Sequence, residues 1–147
     1  MITLNISIEF ARKMSLAYNL SCKSLCQELK LPQTAFDILM FLANNPNYKT
    51  ASDIVEIRKI KANLVSVNVD RLVQEGYLQR QEVEGDRRKT ELLCTPKAQP
   101  IIKKGRDLQQ DFMEHLLFNM DDNKKNELKE IIHIMEQNLD TILEGDK

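Results

Sequence analysis

The chain has 147 residues, 42% hydrophobic and 29% charged, with only four Gly and four Pro, which suits one helix-rich domain rather than a fold of strands and loops. No apolar run approaches the roughly 20 residues needed to cross a bilayer, the start MITLNISIEFARKM lacks the order of a secretory signal, and three cysteines without a CxxC exclude a disulfide framework or a zinc ribbon. These features predict a cytoplasmic protein. The net charge of -1 argues against nucleic acid until its distribution is considered, because residues 49–97 hold ten Lys or Arg against eight Asp or Glu and the remainder eleven against fourteen.

In chain order, Ile6 to about Lys30 reads as a helix, with Ile6, Phe10, Met14, Ala17, Leu20, Leu25 and Leu29 at helical spacing. That apolar face is broader than one small core needs and points to deep burial or a partner chain. Leu31-Pro32 ends it, since a residue before proline is pushed out of the α region. A second helix is predicted over Gln33–Asn44, with Phe36, Leu39, Met40 and Ala43 as its buried face, ending in the turn cluster Asn44-Asn45-Pro46-Asn47. Thr50 or Ser52 can cap a short third helix from Ala51 to about Ile57. Arg58-Lys59-Ile60 is then a tight basic connection.

The stretch Lys61–Thr95 organises the rest. Val65, Val69 and Leu72 form the stripe of a fourth helix, and Gly76 stands where a left-handed stop is wanted. Tyr77–Val83 and Thr90–Cys94 are candidate strands, joined by a turn through Glu84-Gly85-Asp86-Arg87-Arg88-Lys89 with three consecutive cations at its tip. A helix followed by a cationic hairpin has the shape of a winged helix-turn-helix, in which the helix enters a DNA groove and the hairpin grips the neighbouring backbone or minor groove.

Thr95-Pro96 predicts the start of a fifth helix running to about Phe118, with Ile101, Ile102, Leu108, Phe112, Leu116 and Leu117 on its apolar side. Asp121 or Asp122 caps the last helix, whose stripe is Leu128, Ile131, Ile132, Met135, Leu139 and Ile142/Leu143, and Gly145 closes it. With so little left to cover, these two helices and the first suit an intertwined dimer interface.

The order α-α-α-α-β-β-α-α resembles the MarR family of bacterial winged-helix transcription regulators over nearly the whole chain. The most specific residues are Asp86-Arg87-Arg88 followed by Leu92 and Thr95, then Asp70-Arg71-Leu72 and Glu75-Gly76-Tyr77-Leu78, with Leu31-Pro32 and Ile38-Leu39-Met40 at the second helix. Departures are Ala98 where glycine is common, Cys94 where Leu is usual, and Val67-Asn68 in place of a polar-then-Leu pair. The resemblance implies a mostly α fold with a small β-hairpin wing. It implies one MarR-like domain over 1–147, with dimerisation helices at about 5–30 and 96–145 and a winged lobe at about 32–95. It also implies a homodimer on a pseudo-palindromic operator, a small-molecule effector site in the crevice beside the dimerisation helices, and repression relieved by that ligand.

Among individual residues, Lys61, Asn63, Ser66 and Val67 on the first half of the fourth helix are candidates for reading bases, Asn63 on adenine and Leu64 or Val67 on thymine methyls. The alternative places Leu64 and Val67 in the core. Asn68, on the inner side, is expected to be a buried amide bonded to backbone. Arg87 and Arg88, with Lys89, form the wing contact: one slim, permanently charged guanidinium enters a narrow minor groove and Asp86 orients the other. Lys49, Arg58, Lys59 and Arg71 are candidates for phosphate contact, each alternatively a solvated charge.

Cys22 and Cys26 share a helical face and read as small buried hydrophobes rather than a redox pair. His115 and His133 lack companions for a metal site, so no metal or cofactor is expected. No nucleophile elbow, phosphate-binding Gly loop or HExxH occurs, which argues against an enzyme. The competing reading is a winged-helix protein-interaction module that does not bind DNA, suggested by the near-neutral charge and by Leu64 and Val67.

Overall fold

The computed structural model describes residues 4–145. The order is α1 (Leu4–Leu29), α2 (Gln33–Asn44), α3 (Ala51–Arg58), α4 (Ala62–Gln74), β1 (Leu78–Val83), β2 (Asp86–Cys94), a 3-10 turn (Pro96–Ala98), α5 (Gln99–Leu116) and α6 (Asp122–Glu144). The expectation of a mostly helical chain with one β-hairpin holds. The chain divides into two compact units, residues 1–110 and residues 111–147.

The first unit is built around α2. Ala35, Phe36, Ile38, Leu39, Met40, Phe41 and Leu42 are all buried, so the helix is covered on nearly every side and not along one stripe. The expected face of Phe36, Leu39, Met40 and Ala43 is therefore too narrow, and Ala43 itself is only half-buried. The reason is the number of neighbours: α1, α4 and β2 all pack on α2, and a helix apolar all round is one surrounded by protein. α5 meets α2 as well, at Gly105. A Cβ added at Gly105 would sit 2.4 Å from the Met40 sulfur and 3.1 Å from Phe36 Cζ, so a larger residue there would have to push the end of Met40 aside.

α1 ends at Leu29, ahead of Leu31-Pro32 as expected, and a left-handed residue closes it. Lys30 takes a left-handed φ of 55°, the Leu31 N–H donates to the Cys26 carbonyl and the Lys30 N–H to the Gln27 carbonyl, and buried Leu31 seals the motif. Of α1's apolar residues, Cys22 and Cys26 are buried and Tyr18, Leu25 and Leu29 pack on the core. Phe10 and Leu20 stay 60% and 74% exposed; the side chain of Ile6 lies outside those described.

Thr50 caps α3 as expected: its hydroxyl accepts the Asp53 N–H at 3.1 Å while the Asp53 carboxylate accepts the Thr50 N–H at 3.1 Å and the Lys49 N–H at 3.0 Å. Lys59, left-handed at φ 54°, turns the chain toward α4. In α4, Val65, Val69 and Leu72 are buried as the stripe predicted. Gly76, at φ 84°, supplies the left-handed stop, with Tyr77 N–H donating to Leu72 and Gly76 N–H to Val73.

The hairpin differs from expectation at its tip. The turn is Glu84-Gly85 alone, and β2 already begins at Asp86, so Arg87, Arg88 and Lys89 belong to a strand and not to the turn. The antiparallel register passes from Glu82↔Thr90 to Val83↔Asp86. β2 thus carries those three cationic residues across one step of β1, a bulge that lets the outer ribbon twist away from its base. Leu78 and Leu92 are buried at that base, and the Lys49 carbonyl accepts the Leu92 N–H at 2.7 Å. Thr95 does not cap a helix with its side chain: its hydroxyl donates to the Gly76 carbonyl, a 3-10 turn follows, and α5 starts only at Gln99.

In the second unit, Asp121 caps α6 by accepting the Lys124 N–H at 2.8 Å. Gly145 follows α6 with an ordinary right-handed φ of -66°. No described residue of α6 is buried.

Candidate nucleic-acid interface

α4 turns one face inward and one to solvent. Asn63, Ser66 and Val67 are exposed, as is Lys61, which stands at the N-cap of the helix and not within it. Leu64 is 45% and Val67 66% exposed, which removes the alternative that these two are core residues. Asn68 lies on the opposite side, buried, with its amide donating to the Leu64 carbonyl at 2.7 Å. It is the backbone-bonded amide that the sequence suggested. Beside α4, Ala51, Val55, Ala62, Ser66, Arg80 and Thr90 line a groove of about 410 Å³ between α3, α4 and the hairpin.

The cations divide by what holds them. Lys49, Arg58 and Lys59 are exposed around α3. Arg58 acts on Asp37 of α2: burial pushes that carboxyl above the ordinary carboxylate range, against the pull of the Arg58 charge and a hydrogen bond from Gln33. Arg71 is used structurally. Its guanidinium donates to the Lys30 carbonyl at 3.0 Å and lies 3.4 Å from the Glu75 carboxylate, so it fastens α4 to the end of α1.

Arg80 of β1, which sequence reasoning did not single out, pairs with Asp70 of α4. This ion pair counters the one acidic charge on the outward side of α4. The pairing joins a helix to a strand across a turn, and neither helical nor strand periodicity signals such a contact.

On the wing, Arg88 and Lys89 are exposed. Arg87 belongs to β2, and the expectation for its side chain falls outside what the structure describes. Asp86 was expected to steer an arginine side chain; the contact it makes is to the Arg88 backbone, accepting that N–H at 3.0 Å, which fixes the ribbon where the bulge begins. The charge of Lys89 is felt at Asp53 of α3. Burial acts to raise the Asp53 carboxyl, but the Thr50 and Lys49 N–H donors, the Thr50 hydroxyl and the Lys89 charge outweigh it and hold it below the ordinary range.

A second cavity, about 650 Å³, lies at the junction of α1 and α2, lined among others by Leu16, Leu20, Lys23, Leu31, Gln33 and Arg71. Cys22 and Cys26 are free thiols in the core. Burial pushes both up, Cys26 to about 11, so neither is a ready thiolate. Burial pushes the Cys94 thiol up as well. His115 Nδ1 lies 2.8 Å from the Asp111 carbonyl oxygen. Among the described residues no three His, Cys, Asp or Glu are placed to hold a metal ion, and no helix is long and apolar enough to cross a membrane.

Two short helices meeting at a basic turn, the second exposed along one face and followed by a cationic hairpin, make a winged helix-turn-helix. The sequence model of the MarR family matches residues 29–89, from the end of α1 to Lys89 of the hairpin. The HTH-type transcriptional regulator PecS of Dickeya dadantii (strain 3937) is 26% identical over 129 residues, covering 86% of this chain and 78% of that protein. A MarR transcriptional regulator from Methanosarcina mazei Go1 superposes with a TM-score of 0.77 at 18% identity, covering 97% and 94% of the two chains. A MarR-family regulator from Listeria monocytogenes, solved with a 26mer DNA, superposes at 0.72 and 18% identity over 95% and 89%. Residues 29–89 thus match the MarR family model, and along nearly the whole chain the fold is the one seen in MarR-family regulators.

Proposed function

We propose that the protein is a sequence-specific DNA-binding regulator, a ligand-responsive repressor working in the cytoplasm as a homodimer on a pseudo-palindromic operator. One observation carries this reading: the exposed side of the first half of α4, Ala62 to Val67, which carries no charge, lies close in sequence to a ribbon whose bulge holds Arg87, Arg88 and Lys89. Such a pair can offer base-reading groups to a major groove and guanidinium groups to the adjoining minor groove. The Listeria relative solved with DNA supports it. In this reading Lys61, Asn63, Ser66 and Val67 face bases, Arg87, Arg88 and Lys89 serve the wing with Asp86 holding its backbone, and Lys49, Arg58 and Lys59 meet phosphates. Arg71 contributes to the phosphate contact only if it can do so while holding α1.

The winged lobe of about 32–95 would then be carried by dimerisation helices at about 5–30 and 96–145 in one domain. α1 and α6 each leave apolar side chains in solvent, among them Phe10, Leu20, Leu139 and Ile142, and a second copy of the chain is the natural cover. Two-fold symmetry sets the recognition helices about 34 Å apart, one DNA turn. An effector in the 650 Å³ cavity would act by favouring a dimer whose helices no longer match that spacing.

The test uses duplexes selected from a random pool. Arg87→Ala with Arg88→Ala is expected to weaken binding roughly tenfold or more, at about 1–3 kcal/mol per lost contact, with the helical circular dichroism unchanged. Wild-type-like footprints from that double variant would remove the wing assignment. The exposed Leu64 and Val67 also favour the second reading, a protein-interaction module. Salt separates the two, because a DNA binder loses duplex affinity steeply between low and moderate salt, whereas an interaction module binds duplex poorly at any salt.

A further inference from the structure

From Ala62 to Asp70 the reading helix carries no lysine or arginine. Guanine in the major groove is read mainly by a cationic side chain forking onto O6 and N7, so within the helix this means of reading G·C pairs is missing and Lys61, at its N-cap, is the one cation left to supply it. Its outward groups are the Asn63 amide, the Ser66 hydroxyl and the branched hydrocarbon of Val67. Val67 is 66% exposed against 45% for Leu64, and it follows Asn63 by one helical turn on the same face. Asp70, the next acidic residue along that face and a candidate acceptor for a cytosine amine, is held by Arg80. Asn68 is turned inward and bonded to the Leu64 carbonyl. Within the helix this leaves the Asn63 amide, suited to adenine, the Ser66 hydroxyl, which suits any base, and two hydrocarbon groups, of which Val67 is the more exposed and the one in line with Asn63.

We infer that Val67 is the specificity-determining residue of the operator contact: its methyls pack on the C5-methyl of a thymine in each half-site, one turn along α4 from an A·T pair read by Asn63. The inference rests on the DNA-binding reading and names what that reading leaves open, the base pairs preferred. It also explains why a hydrophobic residue sits in solvent at the centre of a reading face.

The experiment takes a selected duplex and replaces each half-site thymine in turn by deoxyuridine, which removes the methyl and leaves every hydrogen-bonding group. The wild-type protein is expected to lose affinity roughly fourfold at one thymine per half-site, the effect of one buried methyl. Val67→Ala, which changes both subunits of the dimer, should bind the thymine duplex more weakly by roughly the square of that factor, keep the wild-type salt slope, and no longer distinguish thymine from deoxyuridine at that position. Val67 is exposed, so the alanine variant keeps the fold, and circular dichroism checks this. Indifference of the wild type to every replacement, or a Val67→Ala protein that still discriminates, overturns the inference while the DNA-binding reading stands. Absence of salt-sensitive duplex binding by the wild type overturns both.

Discussion

α2 and α6 are both amphipathic in sequence, yet their apolar residues meet opposite fates. α2 has 12 residues and buries seven of them; α6 has 23 and buries none. Helical periodicity reports that a face exists and says nothing of what covers it. For α2 the cover is the chain itself, with α1, α4 and β2 packed around it and Gly105 admitting α5. For α6 the side chains of Ile132, Met135, Leu139 and Ile142 remain 41%, 50%, 55% and 68% exposed, a helical-spaced apolar row of the kind that marks an interaction surface. The proposed second copy would supply the cover that this chain does not.

The sharpest way to break that contrast is to truncate one leucine in each helix. Leu39 of α2 is fully buried, and Leu39→Ala is expected to cost about 2–5 kcal/mol of stability through lost burial and the cavity left behind. Leu139→Ala should instead act on assembly, lowering the apparent dimer affinity in sedimentation equilibrium and steepening the dependence of thermal midpoint on protein concentration. If Leu139→Ala left self-association untouched, α6 would not be the dimer surface.

A smaller effect tests whether the first unit satisfies its helix ends as well as its core. Thr50→Ala removes the hydroxyl that accepts the Asp53 N–H, and about 1 kcal/mol should be lost in urea denaturation. An unchanged midpoint would show that α3 is held by packing alone.

These contrasts also mark what the sequence could reveal. The α4 stripe, the Gly76 stop and the Thr50 cap were legible because each is a local rule: a period, a left-handed backbone, a side chain within hydrogen-bonding reach of its own helix. The end of α1 falls where Leu31-Pro32 predicts, but its left-handed closing residue is silent in the sequence, because Lys30 carries no signal for that backbone. The wing cations were expected in the turn since Gly85 and Asp86 are both turn formers, but the Asp86 carboxylate takes the Arg88 N–H and starts a strand there. Arg71 was expected at phosphate or as a solvated charge and Arg80 was not singled out, because their partners, the Lys30 carbonyl and Asp70, lie on other elements. Among the proposed interface residues, exposure could be anticipated from the inner stripe, whereas commitment to an internal partner could not.

The finest test concerns the one acidic residue of α2, where self-coverage works against the fold. Burial raises the Asp37 carboxyl despite Arg58 and Gln33, while hydrogen bonds and Lys89 lower that of Asp53 despite burial. A raised carboxyl binds its proton more tightly when folded, so its contribution is greatest below the unfolded value of roughly 4 and declines as pH rises through the folded one. A lowered carboxyl does the reverse: its contribution is present above the unfolded value and is lost as pH falls through the folded one. The two groups therefore act on opposite sides of roughly pH 4. Asp37→Asn should flatten the decline of stability above that pH and leave the protein more stable than wild type at neutrality. Asp53→Asn should flatten the rise below it and leave the protein less stable at neutrality. Urea midpoints measured across the acid range check both, and a decline above pH 4 that survives Asp37→Asn would mean that another buried group, not the single charge on α2, limits how completely the chain covers its own central helix.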